Sequence, residues 1–104
     1  MPKLIVSIDG VVIKEVPLTK ERTSLGRRPY NDIVIDNLAV SGEHAVVHLR
    51  GDHVEIEDLG STNGTYINGQ AVKHHTLYTG DIIDTGKYKI RFLYEAQHPD
   101  FEKT

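Results

Sequence analysis

Residues 53–69 read "HVEIEDLGSTNGTYING". The first few alternate. Val54 and Ile56 fall on one side and His53, Glu55 and Glu57 on the other, the pattern of a half-buried strand with one wet face. The character then changes. The twelve residues from Asp58 to Gly69 hold three glycines, two asparagines, one serine and two threonines, with little to build a core. A two-residue turn suffices to join two strands, so a polar loop of this length implies a task beyond connection.

The period of two continues outward in both directions. In "HAVVHL", residues 44–49, Ala45, Val47 and Leu49 oppose Val46 and His48. In "YKIRFLYE", residues 88–95, Tyr88, Ile90, Phe92 and Tyr94 share one face and Lys89, Arg91 and Leu93 the other. Turn signals recur at short intervals: Asp9-Gly10, Gly51-Asp52, Asn68-Gly69, Gly80-Asp81 and Gly86-Lys87. No window of eleven residues carries a helical stripe. Many short strands joined by regular turns predict an all-β fold, an antiparallel sandwich or barrel.

The chain has 104 residues, enough for one domain. We expect that domain to fill residues 1–95, with the polar, proline-containing residues 96–104 as a tail or the start of a linker. There are no cysteines, which excludes disulfides and thiolate metal sites and fits an intracellular, cytoplasmic address. The N-terminus offers only a short apolar run, Leu4-Ile5-Val6, too short for a signal peptide, and nothing approaches a membrane span. A net charge of −3 argues against nucleic acid as partner, since such a protein presents a basic field.

Two further polar segments stand out. "LGRRPYND", residues 25–32, supplies the guanidinium forks of Arg27 and Arg28, which suit phosphate. "AVSGEHA", residues 39–45, supplies the hydroxyl of Ser41. In a sandwich the loops at one end of the sheets lie together. If these two segments share an end with the 58–69 loop, Ser61, Thr62 and Asn63 join the set, and the glycines let backbone N–H groups approach an anion. Each element also has an ordinary reading. Ser-Thr-Asn-Gly is a common turn former, adjacent arginines are usually solvated, and His44 before an apolar strand reads as a hydrogen-bonded structural residue. His74-His75 reads as exposed loop. No nucleophile–base pair, G-x-S-x-G elbow, Walker loop or metal set is present. We therefore expect no catalytic residue, metal or cofactor, and recognition of an oxyanion rather than turnover.

Taken together, the segments resemble a forkhead-associated (FHA) domain. "LGRRPYNDIVI" is similar to the family's Gly-Arg motif and following strand, "VSGEHA" to its Ser-x-x-His-Ala, "DLGSTNGTYING" to its Asp-x-x-Ser-x-Asn-Gly-Thr-aromatic-x-Asn-Gly loop, and "LYTGDIIDTG" to its Leu-x-x-Gly-Asp-x-Ile-x-x-Gly. The resemblance implies a two-sheet antiparallel sandwich of about eleven strands that binds phosphothreonine peptides through loops at one end. Arg27 and Ser41 would contact the phosphate, Thr62 would add a hydrogen bond to it, and Asn63 would hold the peptide backbone. Gly26 would let the strand end turn, and His44, Gly64 and Asn68 would support the loops. Arg28 would stand at the rim. Gly42 belongs to the phosphopeptide-binding set by position but departs from the pattern, because arginine, lysine or asparagine is usual there. Two accounts of Gly42 compete: a backbone that needs positive φ, or a lost side-chain contact. The resemblance favours the second. The implied partner is a phosphothreonine-containing protein or peptide bound by a monomer, with neither nucleic acid nor membrane involved. A phosphorylation-independent interaction domain on the same fold is the alternative, and an enzyme the least supported.

Overall fold

The computed structural model describes residues 2–95; the expected tail, 96–104, lies outside them. The chain forms eleven strands: β1 (Pro2–Ile8), β2 (Val11–Pro17), β3 (Arg22–Gly26), β4 (Ile33–Val34), β5 (Ala45–Arg50), β6 (His53–Asp58), β7 (Thr65–Ile67), β8 (Gln70–Val72), β9 (His74–Leu77), β10 (Ile82–Thr85) and β11 (Tyr88–Tyr94). They build a six-stranded sheet in the order β2-β1-β11-β10-β7-β8 and a five-stranded sheet in the order β4-β3-β5-β6-β9.

The alternation seen in the sequence is what packs the two sheets. Val54 and Ile56 of β6 are fully buried, as are Ile90 and Phe92 of β11. Tyr88 and Tyr94 lie partly buried against the same core. Leu4 and Val6 of β1 add to it from the central part of the larger sheet, and Leu25, Val47 and Leu77 from the smaller one. Burial of each such side chain is worth about 1.5–3 kcal/mol relative to exposure. β1 runs antiparallel to β11, from Pro2 opposite Tyr94 to Ile8 opposite Tyr88, so the first and last described strands are neighbours.

Two features differ from the sequence reading. The short β4 pairs with β3 in parallel, Leu25 with Ile33 and Gly26 with Val34, because residues 27–32 fold back before the chain resumes its direction. And His74-His75 is not loop: both residues belong to β9, opposite Glu57 and Ile56 of β6, with His74 hydrogen bonded to Glu55.

The smaller sheet also fixes where the polar loops go. Leu25 pairs with Ala45, and Ala45 with Asp58. The end of β3, the start of β5 and the end of β6 therefore lie side by side. The segments 27–32, 35–44 and 59–64 all leave the sandwich at this end.

Candidate functional site

The three loops are tied to one another through their backbones. The Arg27 N–H donates to the Ser41 carbonyl at 2.9 Å, and the Arg28 N–H to the Gly42 carbonyl at 3.2 Å. The Thr62 N–H donates to the Ser41 hydroxyl oxygen at 2.9 Å. Asn63 Nδ2 donates to the Ala39 carbonyl at 2.8 Å, and Arg27 Nε to the Val40 carbonyl at 3.2 Å. Arg27, Ser41, Gly42, Thr62 and Asn63, expected to converge on the strength of a resemblance, thus share one end of the molecule.

Beneath them sits His44, fully buried. The Ser41 N–H donates to its Nδ1 at 3.1 Å, which makes Nδ1 an acceptor and leaves the ring hydrogen on Nε2. That Nε2–H points at the Gly64 carbonyl, 3.0 Å away. One neutral imidazole therefore clamps the 35–44 loop to the 59–64 loop. Gly64 completes the clamp with φ near +87°, a conformation that strains any residue with a Cβ.

Gly26 supports the loops for a reason other than the one expected. Its φ is not in the left-handed region. The constraint is proximity: a Cβ there would overlap the Gly42 carbonyl oxygen and lie 2.7 Å from Asn31 Nδ2. Asn68 is not part of this cluster. It occupies the β7–β8 turn with φ near +51°. Its side chain donates to Asp81 and accepts from the Ile82 N–H, so it braces β7 against β10 at the opposite end of β7. Ser61 also differs from expectation. Its hydroxyl donates to Asp58 and accepts from the Gly64 N–H, so it stabilises the loop from inside rather than facing a ligand.

Two residues the sequence reading passed over hold the loops in shape. Asn31, mostly buried, donates its amide hydrogens to the Arg28 and Gly42 carbonyls at 2.9 and 2.8 Å. Asp58 receives hydrogen bonds from Gly60 N, Ser61 N, the Ser61 hydroxyl and the Thr65 hydroxyl. Burial pushes the Asp58 pKa up, but the hydrogen bonds from Ser61, Thr65 and Gly60 outweigh it and hold the carboxyl below its ordinary value. In the sequence both were hidden by their residue type, because Asn and Asp in polar stretches read first as turn formers.

The exposed surface of this end is rich in donors. Arg27 and Arg28 are exposed, and with Pro29 they line a shallow recess of about 220 Å³. Among the described residues no carboxylate forms an ion pair with either guanidinium. The nearby carboxylate of Glu43 accepts a hydrogen bond from the Tyr30 hydroxyl at 2.8 Å. That hydrogen bond is the main reason the Tyr30 pKa is raised.

Gly42 settles into neither sequence account as stated. Its φ is not left-handed, which removes the backbone requirement. Yet the place a side chain would take is not open, because a Cβ would come within 3.0 Å of both Cγ and Nε of Arg28.

A scan against family models matches residues 23–86 to the FHA domain. The "Oxoglutarate dehydrogenase inhibitor" of Corynebacterium jeikeium is 42% identical over 76 residues, covering 73% of this chain and 53% of that protein. The chain spans about half the length of the curated relatives it matches. An FHA domain solved in a study of phosphothreonine-dependent FHA interactions superposes with a TM-score of 0.82 at 28% identity, over 94% of this chain and 97% of its own. Mycobacterium tuberculosis EmbR, solved with a low-affinity phosphopeptide, superposes with a TM-score of 0.83 at 31% identity, over 94% of this chain and 25% of its own.

Proposed function

Because this chain belongs to the FHA domain family, we propose that it is a phosphothreonine-dependent adaptor domain, acting as a cytoplasmic monomer on a phosphorylated protein. The observation that carries the proposal is the donor cluster at one end of the sandwich: exposed Arg27 and Thr62, both bonded through their N–H groups to Ser41, Asn63 tied to the Ala39 carbonyl, and no described carboxylate paired with Arg27.

Each residue has a part in this reading. The Arg27 guanidinium is oriented by its Nε bond to Val40 and leaves its terminal nitrogens for a phosphate, a fork that matches two oxygens. The Ser41 oxygen already accepts from Thr62, so its own hydrogen is left to donate to the phosphate. The Thr62 hydroxyl gives another donor. Asn63, steadied on Ala39, meets the peptide backbone. Because His44 fixes the loops before the ligand arrives, little ordering cost is left to binding. The remote carboxylates behind the net charge of −3 matter little, since they are screened over about 8 Å at physiological salt. The relative named as an oxoglutarate dehydrogenase inhibitor fits a domain that works by docking.

The test is a degenerate peptide library with a fixed phosphothreonine, followed by calorimetry on the selected sequence in phosphothreonine, phosphoserine and unphosphorylated forms. The phosphothreonine peptide is expected at roughly micromolar Kd, about −8 kcal/mol, and the phosphoserine form weaker. Equal affinity for phosphorylated and unphosphorylated peptide would reject the proposal in favour of a phosphorylation-independent docking domain.

A further inference from the structure

We propose that Arg28 is a second phosphate-binding guanidinium of this site, and that residue 42 is glycine because the Arg28 side chain occupies the space above it. The inference rests on the reading of the site as a phosphothreonine receptor and adds a residue to it.

The first observation is steric. The Arg28 stem lies flat across Gly42: an added Cβ would sit 3.0 Å from Cγ, 3.0 Å from Nε and 3.4 Å from Cδ. Three consecutive atoms of the exposed side chain, Cγ, Cδ and Nε, therefore pass directly over Gly42. The second observation is that the Arg28 backbone is fixed from both sides. Its N–H is bonded to the Gly42 carbonyl. Its own carbonyl accepts from the Asn31 N–H at 3.1 Å and from Asn31 Nδ2 at 2.9 Å. Asn31 bonds Gly42 as well, so residues 28, 31 and 42 form one closed unit from which the side chain departs in a set direction. The third observation is electrostatic. Arg28 lines the same recess as Arg27, and no described carboxylate forms an ion pair with it. The Glu43 carboxylate is engaged by the Tyr30 hydroxyl at 2.8 Å.

A phosphothreonine monoester carries close to two negative charges at neutral pH. Arg27 alone leaves the second uncompensated, and no side chain at position 42 can supply the difference. An arginine folded over Gly42, one residue from Arg27, presents a second fork to the same anion. The aliphatic stem loses little further freedom on binding, because it already rests on the loop.

The experiment uses the full chain and N-acetyl-phosphothreonine-N-methylamide, with the threonine counterpart as control, titrated by NMR at several salt concentrations. Arg28→Ala is expected to weaken binding about tenfold and to flatten the salt dependence, as loss of one charge-assisted hydrogen bond requires. The melting temperature should stay at the wild-type value. Gly42→Ala, which must push Arg28 aside by a few tenths of an ångström, is expected to weaken binding by a smaller factor. The double variant R28A/G42R should bind more tightly than Arg28→Ala alone, since it moves the guanidinium to the other side of the same contact. If Arg27→Ala abolishes binding while Arg28→Ala binds within twofold of wild type at every salt concentration, the inference falls and the proposed function stands. If the wild-type chain does not distinguish the phosphorylated probe from its control, both fall.

Discussion

Replacing His44 by alanine tests whether the loops are held by the fold or by the ligand. The ring is fully buried, and its two nitrogens join Ser41 N and Gly64 O at 3.1 and 3.0 Å. Alanine reaches neither. An unpaired buried group costs about 1–3 kcal/mol. Both partner residues are half-buried, so water can reach them and the low end applies, about 1 kcal/mol each. Loss of the packed ring adds about 1–2 kcal/mol, less than the about 2–5 kcal/mol of an aliphatic truncation, because part of the ring's surface is polar. The sum is about 3–4 kcal/mol, a large share of the roughly 5–15 kcal/mol that stabilises a small domain. At about 4–8 °C per kcal/mol for a domain of this size, the melting temperature should fall by about 12–32 °C. Affinity for a phosphothreonine peptide should fall with it, because the 35–44 and 59–64 loops would have to be ordered by the ligand. Thermal melts followed by circular dichroism, beside a peptide titration well below the new midpoint, measure both. A variant that melts within about 2 °C of wild type yet no longer binds would refute the reasoning and make His44 a ligand contact.

Other outcomes follow from the same geometry. Arg27→Ala should remove binding and keep the fold, because the loss of one partner of a charge pair costs about 2–5 kcal/mol while the side chain lies outside the core; Arg27→Lys should recover only part, keeping the charge without the fork, and an unfolded Arg27→Ala by thermal melt would make the residue structural. Gly26→Ala should destabilise by about 2 kcal/mol or more through overpacking against backbone, read as a lowered urea midpoint; an unchanged midpoint would mean that the Gly42 carbonyl moves freely. Asp58→Ala should cost about 3 kcal/mol or more, since hydrogen bonds to a charged group are worth roughly 1.5–3 kcal/mol each. The folded-state pKa of Asp58 is lowered, so its stabilisation is complete above the ordinary carboxyl value, about 4, and is lost as pH falls through the lower folded value. Urea midpoints measured from pH 6 down to pH 3 should therefore converge for wild type and Asp58→Ala, and a gap that persists undiminished would assign the loss to packing alone.

The strands were legible because their period of two survives in Val54, Ile56, Ile90 and Phe92, each of which is buried as the alternation predicts. β4 was not, because two residues are too few to show any period, and its parallel pairing depends on how residues 27–32 fold back. His74 and His75 misled because a pair of polar residues carries no strand signal; what makes them strand is pairing with β6. In the site, Arg27, Ser41, Thr62 and Asn63 could be named from the motifs, but the braces Asn31 and Asp58 could not, since their role lies in which carbonyls and amides surround them. Gly42 stands out in the sequence as a departure, but what lies against it does not. The residue that fills its space, Arg28, is distant in sequence and becomes a neighbour only through the backbone bonds between the two loops.

The pairing of β1 with β11 has a bearing on synthesis and on where the chain can be cut. Every residue of the candidate site lies between Gly26 and Gly64, and the family match ends at residue 86. Yet β11 begins at Tyr88 and separates β1 from β10 in the larger sheet. On the ribosome, the β1–β2 hairpin must wait for nearly the whole domain before it gains its second neighbour. Until then the hairpin that carries Leu4 and Val6 lacks the strand that joins it to the rest of its sheet, and Val11, Val12 and Ile13 on the outer edge strand remain exposed even afterwards. Such late closure between distant segments slows folding and lengthens exposure to other chains. A fragment ending at residue 86 would contain the whole site and lack the strand that closes the sheet around its core, so it should be recovered as aggregate rather than as a smaller receptor.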